Sequence, residues 1–231
     1  MKQIKCQVQS IESLTEFVYK VVLKPAVITD FLPGQYLNFV ISDDDKRPFS
    51  IANAPGSDTI ELQIGAFAAD SYPMQVIEHI KSSDTVTIEL PLGNAQLRTE
   101  TERPLLLIAG GTGFSYIKSM FEFLAQQQSQ RIVIVYWGLR DLSACYELNK
   151  TQNTIDSLAN GTFNTVVETP NDNWHGLEGI VHEVVMKDIK DLANYDIYLA
   201  GRFDMVGAVR RDFIAQGADI NRMYADAFAY I

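Results

Sequence analysis

Over roughly the first hundred residues, apolar and polar positions trade places in short runs separated by turn-forming residues: KCQVQSI, EFVYKVVLK, GQYLNFVIS, PFSIAN, TIELQIGA and TVTIEL. A strand points successive side chains to opposite faces, so period-two alternation marks a sheet with one buried side. Six such runs in succession predict an antiparallel barrel or sandwich. One helix interrupts them, because Tyr72, Val76, Ile77 and Ile80 fall at helical spacing and Pro73 is tolerated in a first turn. That stripe reads as core packing.

The pattern changes at the charged stretch RTETER, residues 98–103. Beyond it strand-like and helix-like segments alternate, which divides the chain into two expected domains, residues 1–100 and 101–231. Leu105, Leu106, Leu107 and Ile108 form a continuous apolar run, as in a parallel strand covered on both faces. Gly110, Gly111 and Gly113 follow, and then Phe114, Ile117, Phe121 and Leu124 line one face of a helix. The strand IVIVYW, the helical stretch CYELNKTQNTIDSLA, the strand FNTVVE, a polar loop, the helix IVHEVVMKDI, the strand YDIYLAG, the helix FDMVGAVRRDFIAQ and a last strand with an aromatic tail complete the order. This succession predicts a doubly wound parallel sheet, whose ligands bind beyond the carboxyl ends of its strands. Those ends are residues 110–115, 138–140, 168–170 and 200–204.

With 231 residues, 47% of them hydrophobic, the chain has ample length for a core and no apolar run long enough to span a bilayer. Its start, MKQIKCQVQS, alternates like a strand and carries no signal-peptide core, so a cytoplasmic protein is expected. A net charge of −10 argues against nucleic acid and against an anionic membrane as partners. The two cysteines make no disulfide framework. His182 and Glu183 begin a zinc-helix pattern, but Met186 stands at the second ligand position, and no metal is expected.

Two stretches carry candidate chemistry. Glycines between a buried strand and a helix let backbone N–H groups approach an anion at the positive helix end, which is the physics of a nucleotide phosphate site. The stretch GGTGFS departs from the dinucleotide fingerprint, since Tyr116 occupies the place of its third glycine. Arg140 lies where an acidic ribose partner would otherwise follow the next strand. An ordinary tight turn remains the alternative for this segment. Residues 46–52 combine Lys46, Arg47, Pro48, Phe49 and Ser50 at the start of a strand, a clamp in which Arg47 holds an anion or carbonyl, Phe49 offers a flat face and Ser50 presents a hydroxyl. A barrel strand with chance Arg and Ser on its exposed face is the alternative there.

RPFSIA, GGTG, YWGLR, YLAGRFDM and the ending DAFAYI, in this order over the whole length, resemble the ferredoxin-NADP reductase superfamily and, within it, the bacterial NAD(P)H:flavin oxidoreductases. The resemblance implies a flavin-binding six-stranded antiparallel barrel over residues 1–100, a nicotinamide-nucleotide domain over 101–231, and two stacked rings between them. Arg47, Pro48, Phe49 and Ser50, with Ile51 after them, match the flavin motif, and Ser50 would act catalytically by a hydrogen bond at flavin N5. Gly110, Gly111, Thr112, Gly113, Phe114 and Ser115 match the pyridine-nucleotide loop, with Thr112 near both rings. Gly201 and Arg202 follow Ala200, where many relatives carry Cys-Gly-Pro, so no thiol adjoins the nicotinamide. Arg140 is a candidate for a 2′-phosphate, and Asp226, Phe228 and Tyr230 belong to a tail that in relatives approaches the rings.

Many relatives carry a G-x-x-S/T phosphate motif where this chain has Gly65, Ala66, Phe67, Ala68 and Ala69, with no hydroxyl until Ser71. The flavin (riboflavin, FMN or FAD) is therefore expected as a loosely bound substrate reduced by NADH or NADPH and passed to downstream acceptors. Two other readings stand beside it: an electron-transfer reductase for a ferredoxin or oxygenase, weakened by the lack of an iron–sulfur cysteine cluster, and a non-catalytic nucleotide-binding subunit on the same fold.

Overall fold

The computed structural model describes residues 2–68 and 70–231; Ala69, within the 65–69 stretch singled out above, lies outside them. Strands β1 (Lys2–Ser13), β2 (Val18–Pro25), β3 (Tyr36–Val40), β4 (Lys46–Ser50), β5 (Ile60–Gly65) and β6 (Thr85–Leu92) form one antiparallel sheet in the order β4-β3-β6-β1-β2-β5. The edge strands β4 and β5 are drawn together just past the end of β4, where Ala52 N donates to Glu61 O at 2.8 Å. The six-stranded sheet thereby curls into a barrel. Alternation sends Val21, Leu23, Leu37, Phe39, Leu62, Ile64 and Ile88 inward, all fully buried. Helix α1 (Tyr72–Lys81) lies over them through Val76, Ile77 and Ile80, its first turn opened by Pro73 and capped by the Ser71 hydroxyl.

The second sheet is wholly parallel, built from β7 (Leu105–Gly110), β8 (Val133–Leu139), β9 (Gly161–Val167), β10 (Leu177–Glu178), β11 (Asp196–Ala200) and β12 (Met223–Tyr224) in the order β10-β9-β8-β7-β11-β12. Helices α2 (Phe114–Gln126) and α3 (Leu148–Asp156) pack on one face; α4 (Val181–Asp188) and α5 (Phe203–Ala215) pack on the other. The strand order reverses between β7 and β11, so the crevice beyond their carboxyl ends is the expected ligand position for such a sheet. At the opposite, amino end the connector between the sheets is pinned. Arg131, 6% exposed, donates to Arg98 O at 2.8 Å and to Arg103 O at 2.7 and 3.0 Å, and pairs with the buried Asp196 at 3.2 Å.

Four local departures from the sequence pattern have physical causes. The run PFSIAN leaves the ladder at Ser50, because Asn53 takes over the bonding: its Oδ1 accepts from Glu61 N at 2.7 Å and its Nδ2 donates to Thr59 O at 3.0 Å. The polar loop after β9 hides the two-residue strand β10, folded back where Trp174 Nε1 donates to Leu177 O at 2.9 Å. The helix expected across CYELNKTQNTIDSLA starts only at Leu148, because Glu147 before it is in the left-handed region with φ of 49°. Finally, α2 is buried on both sides. Its apolar stripe faces the parallel sheet, and Ser115, Lys118 and Ser119, which a surface helix would give to solvent, are 2%, 2% and 0% exposed against the barrel.

Candidate active site

Strand β4 turns its side chains alternately, and this separates the residues of the 47–50 motif. In the pairing with β3, Arg47 stands opposite Phe39 and Phe49 opposite Leu37, on the side of the barrel core and α1, whereas Pro48 pairs with Asn38 and Ser50 with Tyr36 on the outer face. Ser50 is half-buried there. Arg47 is not available as the expected anion clamp. It is 5% exposed, and its guanidinium grips both carboxylate oxygens of Asp45 at 2.7 and 2.8 Å, donates to Tyr72 O at 2.6 Å and Gln75 Oε1 at 2.8 Å, and stacks over the Tyr72 ring at 3.8 Å. The same bonds hold the Asp45 carboxyl below its usual range. Phe49 packs with the barrel core, and Ile51 is fully buried, so neither places a side chain on the outer face.

The glycine bend sits at the strand-order reversal. Gly111 has φ of 53°, and a side chain there would meet nothing within 4 Å, so the bend presents bare backbone to open space. Gly113 has the opposite reason to be glycine: a Cβ would fall 2.6 Å from the backbone of Ala200. Gly110 is similarly shut in by Met205, and Gly201 lies against Gly110. The Trp137 indole N–H fixes the bend by donating to Gly111 O at 2.9 Å.

Thr112 leans on the barrel, its Cγ2 lying 3.0 Å from where a side chain of Gly65 would begin. Phe114 and Ser115 turn away from the bend. Phe114 is fully buried and stacked on Trp137 at 4.2 Å, and the Ser115 hydroxyl donates to Gln63 Oε1 of β5 at 3.3 Å. Their side chains are thus occupied within the protein, which leaves only their backbone N–H groups, at the start of α2, to face a nucleotide. Tyr116 explains the missing third glycine: its ring turns out of the helix–sheet contact toward the barrel, and its hydroxyl donates to Ala95 O at 2.5 Å.

The tail crosses between the two sheets. Asp226 accepts from Asn94 N at 3.2 Å and Ala95 N at 3.4 Å, and it lies beside Tyr36, since a Cβ on Gly93 would be 3.0 Å from both. Burial raises the Asp226 pKa above the ordinary carboxylate value. Burial, with Tyr230 and Asp226 nearby, also raises that of Tyr36. Farther along, Phe228 lies under Arg210, and Tyr230 stacks on Phe203 at 5.8 Å. The cations at the strand ends are solvated: Arg140 is exposed, and Arg202, 88% exposed as a side chain, pairs only loosely with Asp204 at 3.7 Å. Ser50 and Asp226 thus approach one another through Tyr36, while Gly111, Thr112 and Gly201 gather at the crevice. Arg202 follows Gly201 with its side chain in solvent, and Arg140 is exposed just past the end of β8.

The sequence reading passed over Tyr36, Gln63 and Trp137, and took Gly65 only as part of a departed phosphate motif. The alternation of β5 carried a usable signal, since Glu61, Gln63 and Gly65 share one face and leave a polar strip with a gap at its end.

A family model described as an oxidoreductase NAD-binding domain matches residues 107–211. An NAD(P)H-flavin reductase of Vibrio harveyi is 41% identical over 235 residues, covering 99% of each chain. The chain belongs to the NAD(P)H-flavin reductase family. A second member, from Aliivibrio fischeri, is 40% identical with the same coverage. Among solved structures, a ferredoxin reductase in carbazole 1,9a-dioxygenase superposes with a TM-score of 0.87 at 26% identity, over 98% of this chain and 69% of that one. The superposed part thus takes in both the N-terminal antiparallel sheet and the parallel sheet that follows it in this chain. Among the described residues, no group of three His, Cys, Asp or Glu side chains is placed to hold a metal ion, and no helix is long and apolar enough to cross a membrane.

Proposed function

We propose that this chain transfers a hydride from NADH or NADPH to free flavin (riboflavin, FMN or FAD), which binds as a substrate and leaves reduced for downstream acceptors. The observation that carries the reading is the contact of Thr112 with Gly65, which brings the glycine bend of the parallel sheet onto the face of the barrel at the end of β5. Residues 1–100 would then serve the flavin and 101–231 the nicotinamide. The donor set suits flat heterocycles: a half-buried hydroxyl on a strand face, a bend with open space at Gly111, and no charged side chain of the 47–50 motif on that face.

The two cofactors supply the redox chemistry, two electrons moving with one hydrogen as hydride and a second proton coming from solvent. Ser50 donates its O–H where negative charge builds on the acceptor. The bare backbone of Gly111 and the Thr112 side chain hold the donor ring at contact distance, where orientation does most of the work. Asp226, its carboxyl pKa raised by burial and its oxygen held by the backbone N–H groups of Asn94 and Ala95, sets an acid beside Tyr36. Arg47 is consumed by Asp45 and α1, so the flavin phosphate meets no free guanidinium there, which supports release of the flavin after turnover. Exposed Arg140 and Arg202 can reach a 2′-phosphate without demanding one, in keeping with use of both nicotinamides.

The likeness to a ferredoxin reductase favours one second reading, transfer to a protein carrier. Following NADH and NADPH absorbance with and without riboflavin, FMN and FAD separates the two. Consumption that depends on free flavin is the expected result; consumption only with an added electron-carrier protein would overturn it.

A further inference from the structure

Helix α2, with the single turn that leads into it, meets strand β5 in a stepped series of contacts. Thr112 rests on Gly65, the Ser115 hydroxyl donates to Gln63 Oε1 at 3.3 Å, and Lys118 Nζ pairs with Glu61 Oε1 at 3.1 Å. Every third residue of one element thus meets every second residue of the other, running in opposite directions. Gln63 is the hub. It is 5% exposed, its Oε1 also accepts from the buried Tyr146 hydroxyl at 3.3 Å, and its Nε2 donates to Glu147 Oε2 at 2.9 Å and Glu61 Oε1 at 3.3 Å. Glu147 follows the 138–140 strand end and holds a left-handed backbone while reaching both Gln63 and Lys20. One amide therefore ties the helix after the glycine bend and the loop after β8 to the barrel.

We propose that Gln63 is a positioning residue for hydride transfer, setting how far the glycine bend lies along the barrel face. Sliding α2 by one strand step would strand the Ser115 hydroxyl in a buried site and part Lys118 from Glu61, so the register is discrete and Gln63 selects it. Ser115, on this view, acts through Gln63 and not by contact with the nucleotide. The inference rests on the flavin reductase reading above.

The test compares wild type, Gln63→Met, Ser115→Ala and the double variant by single-turnover mixing with NADH and FMN, with FMN affinity measured separately. In the wild type, reduced nicotinamide lying on oxidised flavin gives a long-wavelength absorbance. The expected result is a drop of about ten-fold or more in hydride transfer and a weakened long-wavelength band in either single variant. FMN affinity should be unchanged, and the double variant no slower than the worse single one. Hydride transfer at the wild-type rate in a folded Gln63→Met protein overturns the inference, as do additive losses in the double variant. If Gln63→Met fails to fold, Ser115→Ala carries the same expectation and a wild-type rate in it is equally decisive. A wild type that oxidises neither NADH nor NADPH with any flavin sinks the functional reading and this inference together; an active wild type matched by the variants sinks the inference alone.

Discussion

Arg47 and Ser50 are neighbours in one motif with opposite surroundings. The guanidinium is saturated by Asp45, Tyr72 O and Gln75, while the hydroxyl stands half-buried on the outer face opposite Tyr36. A donor aimed at developing charge matters to the rate and little to the fold. Ser50→Ala should therefore slow turnover by ten-fold or more, about 1.4 kcal/mol, with the thermal midpoint and circular dichroism unchanged; full activity in that variant would remove the assigned role. The motif was legible as a motif, but its division was not. Which of its residues faces outward follows from the β3–β4 pairing, and the appetite of Arg47 for Asp45 depends on a turn and a helix that local pattern does not bring together.

At the scale of elements, the strand, bend and helix from Leu105 to Gln126 were readable because a buried strand and an amphipathic helix each leave a strong periodic signal. What the pattern concealed was the second buried side of α2, since Ser115, Lys118 and Ser119 look like a solvated face until β5 and residues 52–54 are set against them. The glycines of the bend divide by cause. Gly111→Ala has room for its methyl and should cost about 1–2 kcal/mol, the strain of a left-handed backbone. Gly113→Ala drives a Cβ into the Ala200 backbone, and should cost at least ~3 kcal/mol, near the upper end of single-residue effects. Urea unfolding of the two variants side by side checks the order, and an equal loss in both would show that the crowding at Gly113 relaxes freely.

In the whole molecule the two sheets share a core and a polar seam. Val18, Ala95 and Leu97 from the barrel side pack with α2 and β7, and Lys118 stands between Glu61 at 3.1 Å and Glu122 at 2.7 Å. Burial by itself would lower the Lys118 pKa, but the two carboxylates raise it above the ordinary lysine value. Burial would likewise raise that of Glu61, but Lys118, Lys150 and Lys20 together bring it below the usual value. The sign follows for each partner. The Glu61 contribution is present above the unfolded carboxylate range and is lost as pH falls through its depressed value; the Lys118 contribution persists until pH rises past the ordinary lysine range. Lys118→Met, which leaves a buried carboxylate without its main partner, should destabilise by about 3 kcal/mol at neutral pH. That penalty should shrink as the solution is acidified below the carboxylate range, and a penalty independent of pH would assign the loss to packing.

Arg131, at the amino end of the parallel sheet, adds a second restraint apart from this seam. With Arg98 O and Arg103 O both fastened to it, and Asp196 behind it, the strip of chain that joins front to back has little freedom to act as a swivel. Entry of a substrate is then expected to draw on side chains at the rim, such as the exposed Phe203 and Tyr230 pair, more than on a swing of one sheet against the other.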